Sequence, residues 1–391
     1  MDTNISLGPL YDTVLDRYGP GFPLLTRTLF TTVGTVLCVL IFYLFFSSQN
    51  RLDSQIIFED EIPNQAERRQ QFFREPKSLL VKGYQKFQDQ VWGIDSTNGI
   101  HLVLPLRFLD ELKSHPSLSF LEFINQEALI PFTGVGGLSD FALHKFKSKF
   151  NPSVGAYVPV LHDLVKEQLP KLFDEYEDWT EVNVNDKVSE IVGILSARVF
   201  NGSRASRDRD WLELTPAYVL TVIEYLQALK QWPASLRPLA CFFLPQRAVV
   251  LRQWKQAGRF LSHLLDEKRA AGDEALDHPP ALMEYMIGEE NSTVEDLIHT
   301  QMAIVVAGIH TTSNSITQLL YDMAAYPEGL EELREEVTRT YTTNGHQFTK
   351  QALGQMEKLD SWMKESQRLS PVDLSKYPSH CSNLSARRVG N

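Results

Sequence analysis

The residues best suited to chemistry form one run, Ala307-Gly308-Ile309-His310-Thr311-Thr312, in the middle of a long apolar stretch. The periodicity on both sides predicts that this run lies within a helix. Gly308 costs such a helix about 1 kcal/mol relative to alanine. The missing side chain, however, lets a large flat group lie against the backbone. The hydroxyl of Thr311 follows one turn after Ala307, where it suits proton delivery to a bound oxygen molecule.

These residues also have plain structural interpretations. Gly308 suits a close crossing of two helices, and a threonine such as Thr311 can bond to the carbonyl one turn back. A single histidine on a helix face, such as His310, usually bonds to a neighbour. A second motif, Glu365 with Arg368, has the three-residue spacing that puts both side chains on one helix face. By spacing alone that pair is ordinary surface charge pairing, whereas a buried pair would need further hydrogen-bond partners.

The first run must be positioned by a long helix. It begins at Ser292 or Thr293, where Ser292 and Glu295 match a capping box, and Pro327 limits its end. About 33 residues at 1.5 Å each make a rod of roughly 50 Å, long enough to cross a domain. Its centre, residues 302–309, is apolar on all sides, so we predict that it is buried.

The rest of the chain predicts a mainly α-helical body with a small antiparallel β-sheet near its start. Strand-like runs at 87–92 and 100–104 flank Asn98-Gly99, a strong hairpin signal. Helical periodicity follows. The clearest predicted helices span 157–173, 186–200 and a long middle from 216 to 271, which Pro233 and Pro245 interrupt.

The composition excludes several classes of protein. The chain has 391 residues, of which 43% are hydrophobic, enough for a large core. Its net charge is -11, and without a basic run it is a poor nucleic-acid binder. The three cysteines, Cys38, Cys241 and Cys381, lie far apart. This spacing argues against a disulfide framework and against a Cys-x-x-Cys metal site.

Residues 28–50 contain no charged residue and are long enough to span a bilayer as a helix. A secretory signal peptide is the alternative, but acidic residues precede the run and no small-residue cleavage site follows it. We therefore expect an uncleaved anchor. Arginines are more numerous after it than before it, which places the main body in the cytoplasm. Residues 1–27 would then be luminal, with Asn4 as a glycosylation acceptor.

Taken together and in this order, the motifs resemble those of the cytochromes P-450, the haem-thiolate monooxygenases. That family carries a small-Gly-x-acid-Thr-Thr pattern in its long central helix and Glu-x-x-Arg in a later helix. The resemblance extends from about residue 30 to residue 372. The prolines around 233–238, with His310 at the usual acidic position, resemble the fungal branch that decorates secondary metabolites. The matching residues are Ala307, Gly308, Thr311 and Thr312 in the first motif, and Glu365 and Arg368 in the second.

The resemblance implies a cytochrome P-450-like fold that binds haem. Ala307, Gly308 and Thr312 would lie against the haem, and Thr311 and His310 would be catalytic. Glu365 and Arg368 would form a structural ion-pair network. Electrons would come from NADPH through a partner reductase, and the substrate would be an apolar small molecule, such as a terpenoid. The protein would be a single-pass protein of the endoplasmic reticulum membrane.

Two features depart from the family pattern. No Trp-x-x-x-Arg motif occurs in an early helix. The family's axial cysteine loop, Phe-x-x-Gly-x-x-x-Cys-x-Gly, is also missing, since Cys381 has neither the phenylalanine nor the glycines around it. A thiolate ligand needs an ordered, hydrogen-bonded loop. We therefore expect no metal ligand and a domain that is incomplete at its C-terminal end.

The expected organisation has five parts, and two other functions remain open. The chain would be inactive if the axial loop is lost, and it would then be a non-catalytic remnant or a partner-binding membrane protein. An unrelated helical enzyme using Glu and His as acid and base is a third hypothesis, but no further motif supports it. The parts are a luminal segment (1–27), a transmembrane anchor (28–50), a linker (51–75), an incomplete monooxygenase domain (76–372) and an irregular tail (373–391).

Overall fold

The computed structural model describes residues 32–36, 55–96, 99–113, 115–134, 137–173, 178, 180–271, 277–287, 293–371 and 380–381. The chain divides into two units, Met1–Gln55 and Ile56–Asn391. In the first unit, residues 32–36 are helical. Most of the predicted anchor and the whole luminal segment lie outside the described residues. Among the helices that are described, none combines the length and apolar character that crossing a membrane requires.

A small sheet opens the second unit. Strands β1 (Gln55–Ile56), β2 (Trp92–Ser96) and β3 (Gly99–Val103) lie in the order β1-β2-β3. Strands β2 and β3 pair antiparallel, with Ser96 opposite Gly99. The predicted hairpin is therefore present, and the mainly helical fold with a small antiparallel sheet is confirmed.

The prediction of a strand at 87–92 was wrong. Two helices precede β2, namely α1 (Gln65–Arg74) and α2 (Pro76–Phe87). Helix α2 buries Leu79, Gly83 and Phe87, which recur every fourth residue along one face. The ring of Phe87 stacks on that of Trp92 at 5.6 Å. A Cβ on Gly83 would lie 2.1 Å from the Trp92 ring, so the glycine permits this packing.

The segment predicted to be a linker or juxtamembrane helix (51–75) contains α1, which packs against the sheet. Arg68 on α1 is buried and donates from Nε to Oδ2 of Asp95 at 2.7 Å. Gln65 donates to the other oxygen of Asp95 at 2.8 Å. The Arg68 guanidinium also donates to the backbone carbonyls of Ile62 and Pro63. This network attaches α1 to β2, because each buried charge has a partner.

Helices make up most of the remaining body. The predicted helices at 157–173 and 186–200 and the breaks near Pro233 and Pro245 are all observed. The helices are α3 (Leu109–Leu112), α4 (Phe120–Glu127), α5 (Ile130–Thr133), α6 (Asp140–Lys145), α7 (Asn151–Leu172), α8 (Val184–Phe200), α9 (Arg209–Lys230), α10 (Arg237–Phe243), α11 (Pro245–Ala271), α12 (Val294–Ala325), α13 (Leu330–Thr343), α14 (Lys350–Leu353) and α15 (Glu357–Leu369).

Short segments complete the chain. A two-stranded sheet pairs β4 (Leu118–Ser119) with β5 (His380–Cys381), antiparallel. In the tail that was predicted to be irregular (373–391), the structure describes only the two residues of β5. Their backbone pairs with that of β4. A π-helical segment, Phe146–Phe150, leads into α7. Short 3-10 helices occur at Leu106–Phe108, Ala205–Arg207, Leu282–Met286 and Pro327–Gly329.

The main core lies where α8, α9, α11 and α12 pack together. Its largest fully buried side chains include Trp211 and Tyr218 from α9, Leu261 from α11, and Met302 and Ile309 from α12. Helix α12 begins at a capping box in which Thr293 and Asp296 exchange hydrogen bonds. Of the two predicted starts, Ser292 and Thr293, the structure shows Thr293, and the predicted box of Ser292 with Glu295 was one residue too early.

Helix α15 begins against a buried carboxylate. Glu336 on α13 is 3% exposed and accepts the backbone N–H groups of Lys358 and Leu359, both at 2.9 Å. Burial acts to raise the pKa of Glu336, but these two hydrogen bonds, together with the charges of Arg339 and Lys358, outweigh it and lower the pKa. The carboxylate also complements the positive end of the α15 dipole.

We expect Asp95→Asn to lower the free energy of unfolding by about 3 kcal/mol, because Arg68 would stay buried without its counter-charge. Urea denaturation measures the change. The control is Glu167→Gln, which breaks an exposed ion pair with Lys171 at 2.7 Å and should have little effect. An equal loss of unfolding free energy in the two variants would contradict a stabilising role for the buried Arg68–Asp95 pair.

We expect Glu336→Gln to destabilise the fold by about 2 kcal/mol at neutral pH, because two backbone N–H groups lose a charged acceptor. The pKa of Glu336 lies below its ordinary value of 4.5. The carboxylate therefore contributes fully above that value, and its contribution disappears as pH falls through the lower folded pKa. Denaturation at a series of pH values should show the wild-type advantage shrinking in acid. An advantage that grew in acid would refute this interpretation.

Candidate functional site

The open face of α12, defined by Ala307 and Thr311, is the candidate site. Both residues are exposed, whereas Val305 and Ile309 on the other side of the helix are buried. Thr312 is also exposed, but it follows Ile309 by three residues and therefore lies on that other side, away from the open face. The prediction that 302–309 would be buried on all sides was therefore wrong. An apolar sequence on all sides allows every side of a helix to be buried, but it does not require this. In the described structure, neighbouring elements cover only one side of this turn.

Gly308 lies at the edge of this face, and it is not required by a helix crossing. A Cβ at Gly308 would have one near neighbour, Cε2 of Phe200, at an ordinary distance of 3.8 Å. This differs from Gly83, where a Cβ would overlap the Trp92 ring. Within the described structure, the close-crossing interpretation of Gly308 therefore has no support. The turn remains free to receive a flat group.

Three hydroxyls in and after this turn bond to their own helix. Thr311 donates from Oγ1 to the carbonyl of Ala307 at 2.6 Å. Ser313 donates to Ile309 at 2.7 Å, and Ser315 donates to Thr311 at 2.9 Å. Each hydroxyl uses its single proton in this way and keeps its oxygen as an acceptor. The Thr311 oxygen thus faces the open side as a hydrogen-bond acceptor.

His310 lies beside Thr311 and is partly exposed. Its Nε2 atom is buried and has no hydrogen-bond partner among the residues that the structure describes. Burial lowers the pKa of His310 below its ordinary value of 6.5. The imidazole is therefore mostly neutral at pH 7, unlike the carboxylate that the family usually has here.

Glu365 and Arg368 bind each other at the surface of α15. The guanidinium of Arg368 donates to both oxygens of Glu365 at 2.7 Å, and this bond lowers the pKa of Glu365. Their side chains are 56% and 66% exposed, respectively. The expected larger network is not seen in the part of the chain that is described, because α15 turns this side to solvent.

The residue between them makes the internal contact. Ser366 is buried, and its hydroxyl donates to Oδ2 of Asp322 on α12. Asp322 also accepts from the amide of Gln318. This link ties α15 to the helix of the candidate site. Sequence reasoning missed it, because a serine between two charged residues carries no periodic signal of burial.

The described residues fit one side of a haem but do not form a complete haem site. The open face offers small side chains for a flat macrocycle. An iron ligand is another matter, since the one described cysteine side chain, Cys241, is 4% exposed, lies on α10 and bonds to the carbonyl of Pro238 at 3.1 Å. Across the described ranges, no cluster of His, Cys, Asp and Glu could hold a metal ion.

Comparison with known proteins places the chain in a family. The family model described as "Cytochrome P450" matches residues 147–383 of this chain. The chain is 31% identical to the cytochrome P450 monooxygenase braC of Annulohypoxylon truncatum, over 78% of this chain and 62% of the relative. It is 29% identical to the cytochrome P450 monooxygenase olcJ of Penicillium canescens, over 76% of this chain and 58% of the relative. It is 25% identical to the cytochrome P450 monooxygenase ascG of Acremonium egyptiacum, over 93% of this chain and 69% of the relative.

The region that matches the family model contains helices α7 to α15. It therefore includes the open face of α12 and the Glu365–Arg368 pair. The chain spans about three fifths of the length of the first two relatives. The ordered motifs, the mainly helical fold and the family match agree with one another. This chain belongs to the cytochrome P450 family.

Proposed function

We propose that this chain carries the oxygen-handling side of a haem-dependent monooxygenase that oxidises a secondary metabolite. One observation carries the proposal. In a chain of this family, the turn with Ala307, Gly308 and Thr311 lies open on a helix whose opposite side is fixed in the core. Haem is the cofactor of the family, and NADPH would supply electrons through a partner reductase.

The proposed substrate is a small apolar molecule, with a terpenoid or similar skeleton. From 302 to 309 the helix carries no charged side chain, so an apolar molecule beside this turn would leave no charge without solvent. Thr311 would hold a proton donor, such as a water molecule, on its oxygen. The rigid packing of Val305 and Ile309 would keep that oxygen in place.

We further propose that the 391-residue chain by itself holds no thiolate-ligated haem. Cys241 is committed to the core, and the sequence around Cys381 lacks the family's loop residues. The alternative function, a non-catalytic protein that remains at the membrane and binds a partner, follows if haem binding is absent. A single measurement, the absorption spectrum of the reduced protein with haem and carbon monoxide, therefore distinguishes the monooxygenase from the non-catalytic protein.

The purified chain, mixed with haem, reduced and exposed to carbon monoxide, should show no thiolate-type absorption band. A chimera in which residues after 371 are replaced by the matching C-terminal part of the Annulohypoxylon truncatum relative should gain that band. Such a gain would show that the oxygen-handling side is competent. A thiolate band in the unmodified chain that disappears in Cys381→Ser would instead identify Cys381 as the ligand.

The same chimera tests the role of Thr311. We expect Thr311→Ala to raise the NADPH and dioxygen consumed per product about tenfold or more, in keeping with the loss of a proton-handling group. Product analysis alongside oxygen uptake measures this ratio. Thr342→Ala, which removes an exposed threonine hydroxyl that bonds to its own helix on α13, is the matched control. An unchanged ratio in Thr311→Ala would remove Thr311 from proton handling.

We also propose that the protein is held at the endoplasmic reticulum membrane with its main body in the cytoplasm. An exposed apolar patch on α10, formed by Leu239, Phe242 and Phe243, supports contact with lipid, since these side chains are 62%, 64% and 78% exposed. Arg247 lies over the Phe242 ring at 5.0 Å and suits an anionic membrane surface.

The second Asn-x-Ser sequence supports the cytoplasmic orientation. Asn201 is 1% exposed, and its amide Nδ2 donates to Gln301 at 3.1 Å in the core. A glycan on Asn201 would be incompatible with this packing. A body that folds in the cytoplasm never meets the glycosylation machinery, whereas Asn4 would meet it in the lumen.

We expect the full chain to remain in the membrane pellet after carbonate extraction, and deletion of residues 1–50 to release it. Asn4→Gln should increase gel mobility by the mass of one glycan. Asn201→Gln is the matched control and should leave mobility unchanged. A carbonate-soluble full chain, or a mobility change in Asn201→Gln, would refute the proposed orientation and anchor.

A further inference from the structure

Arg69 on α1 is a cation without a partner in the described part of the chain. Among the described residues it makes neither a hydrogen bond nor an ion pair, whereas its neighbour Arg68 binds Asp95. The Nε atom of Arg69 is buried, so the inner end of its guanidinium is kept from water. The two outer nitrogens are not buried in this way, and the side chain as a whole is partly exposed. Arg69 therefore presents the outer edge of its guanidinium to solvent.

The face of α1 that carries Arg69 lies against β3 and the end of α4. Phe72 follows Arg69 by three residues, so both lie on one side of the helix. The Phe72 ring meets the His101 ring edge-on at 6.3 Å, and Nε2 of His101 lies 3.7 Å from Oε1 of Glu127. Lys230, at the end of α9, donates to the other oxygen of Glu127 at 2.9 Å. Polar side chains from four elements thus meet beside Arg69.

A second guanidinium adds positive charge at this junction. Arg237, the first residue of α10, is 8% exposed and donates to the backbone carbonyls of Trp232 at 3.1 Å and Lys230 at 3.4 Å. Burial lowers the pKa of Arg237, and the charge of Arg69 lowers it further, whereas the charge of Glu127 raises it. The two guanidiniums therefore repel each other, and the carboxylate that acts on them already binds Lys230.

We propose that Arg69 anchors a phosphate-binding site at the junction of α1 with the ends of α4 and α9. The outer edge of a guanidinium donates two parallel hydrogen bonds to a phosphate. A phosphate monoester carries about −1.5 to −2 charges at pH 7, so it compensates Arg69 and also weakens the repulsion between Arg69 and Arg237. A carboxylate would bring a single charge. The site lies outside the proposed oxygen chemistry and does not depend on it.

An ordinary surface arginine would not bind phosphate in this way. A fully exposed guanidinium is hydrated on all sides, so it gains little from one anion in water. At Arg69 one nitrogen is already shielded from water, and a like charge lies nearby. Both conditions increase the gain from an anion, because electrostatic interactions strengthen as water is excluded.

Thermal unfolding of the full chain in inorganic phosphate tests the site, with sodium chloride used to hold the ionic strength constant. A ligand that binds only the folded state raises the unfolding temperature as its concentration rises. Phosphate should therefore raise the midpoint above that in chloride. Arg69→Gln should weaken phosphate binding about tenfold or more, the weight of a charged hydrogen bond. In chloride this variant should unfold no earlier than the wild type, because Arg237 loses a like-charged neighbour.

Two further variants and a second phosphate source complete the design. Arg74→Gln, which removes an exposed arginine from the same helix, should leave the phosphate response unchanged. Arg69→Lys keeps the charge without the two-donor edge and should retain part of the response. The full chain in phosphatidylcholine vesicles, with or without phosphatidic acid, tests a lipid headgroup as the source. A stabilisation that depends on Arg69 supports the site, and whether inorganic phosphate or only phosphatidic acid produces it identifies the source.

The proposal is overturned if neither source stabilises the wild type, or if Arg74→Gln loses the response as fully as Arg69→Gln. It is also overturned if Arg69→Gln is destabilised equally with and without phosphate, since that result would mean a purely structural role. These measurements need no haem. Their outcomes are therefore distinct from failure of the monooxygenase function, which the carbon monoxide spectrum of the chimera reports.

Discussion

The structure depends on the packing of one helix, α12, which serves the core on one side and the candidate site on the other. Met302, Val305 and Ile309 are almost fully buried against α8, α9 and α11. Each such side chain contributes about 1.5–3 kcal/mol by leaving water. Because the same backbone carries Ala307 and Thr311, the burial of one face fixes the position of the other. The site is rigid without needing many contacts of its own.

Local signals in the sequence predicted the elements well wherever the decisive interactions are local. Pro327 limited α12, Asn98-Gly99 marked the hairpin, and prolines marked the breaks between α9, α10 and α11. The first strand was misplaced because Phe87 and Trp92 are both apolar and lie close together. Phe87 ends α2 and Trp92 begins β2, and their rings stack on each other. This stacking is a contact of the folded chain that hydrophobic periodicity does not reveal.

The segment at 51–75 shows the same limit more clearly. A run rich in charged residues is typical of an exposed segment, and Arg68 carries no mark of burial in its own neighbourhood. Its partner, Asp95, lies 27 residues further along the chain. The candidate site was predicted in part for a related reason. Spacing correctly paired Glu365 with Arg368, but it did not show that Ser366 makes the buried contact with Asp322.

The back-bonded hydroxyls of α12 have a mechanical consequence. Carbonyls that accept both a helical N–H and a side-chain hydroxyl slightly destabilise a helix and often bend it. Three such carbonyls follow one another at Ala307, Ile309 and Thr311. The midpoint of the rod therefore keeps its regular helical form through the buried packing of Val305 and Ile309 as much as through its own hydrogen bonds. Its last turns are tied to α15 through Asp322, so the turn where a molecule would lie is supported on both sides along the chain.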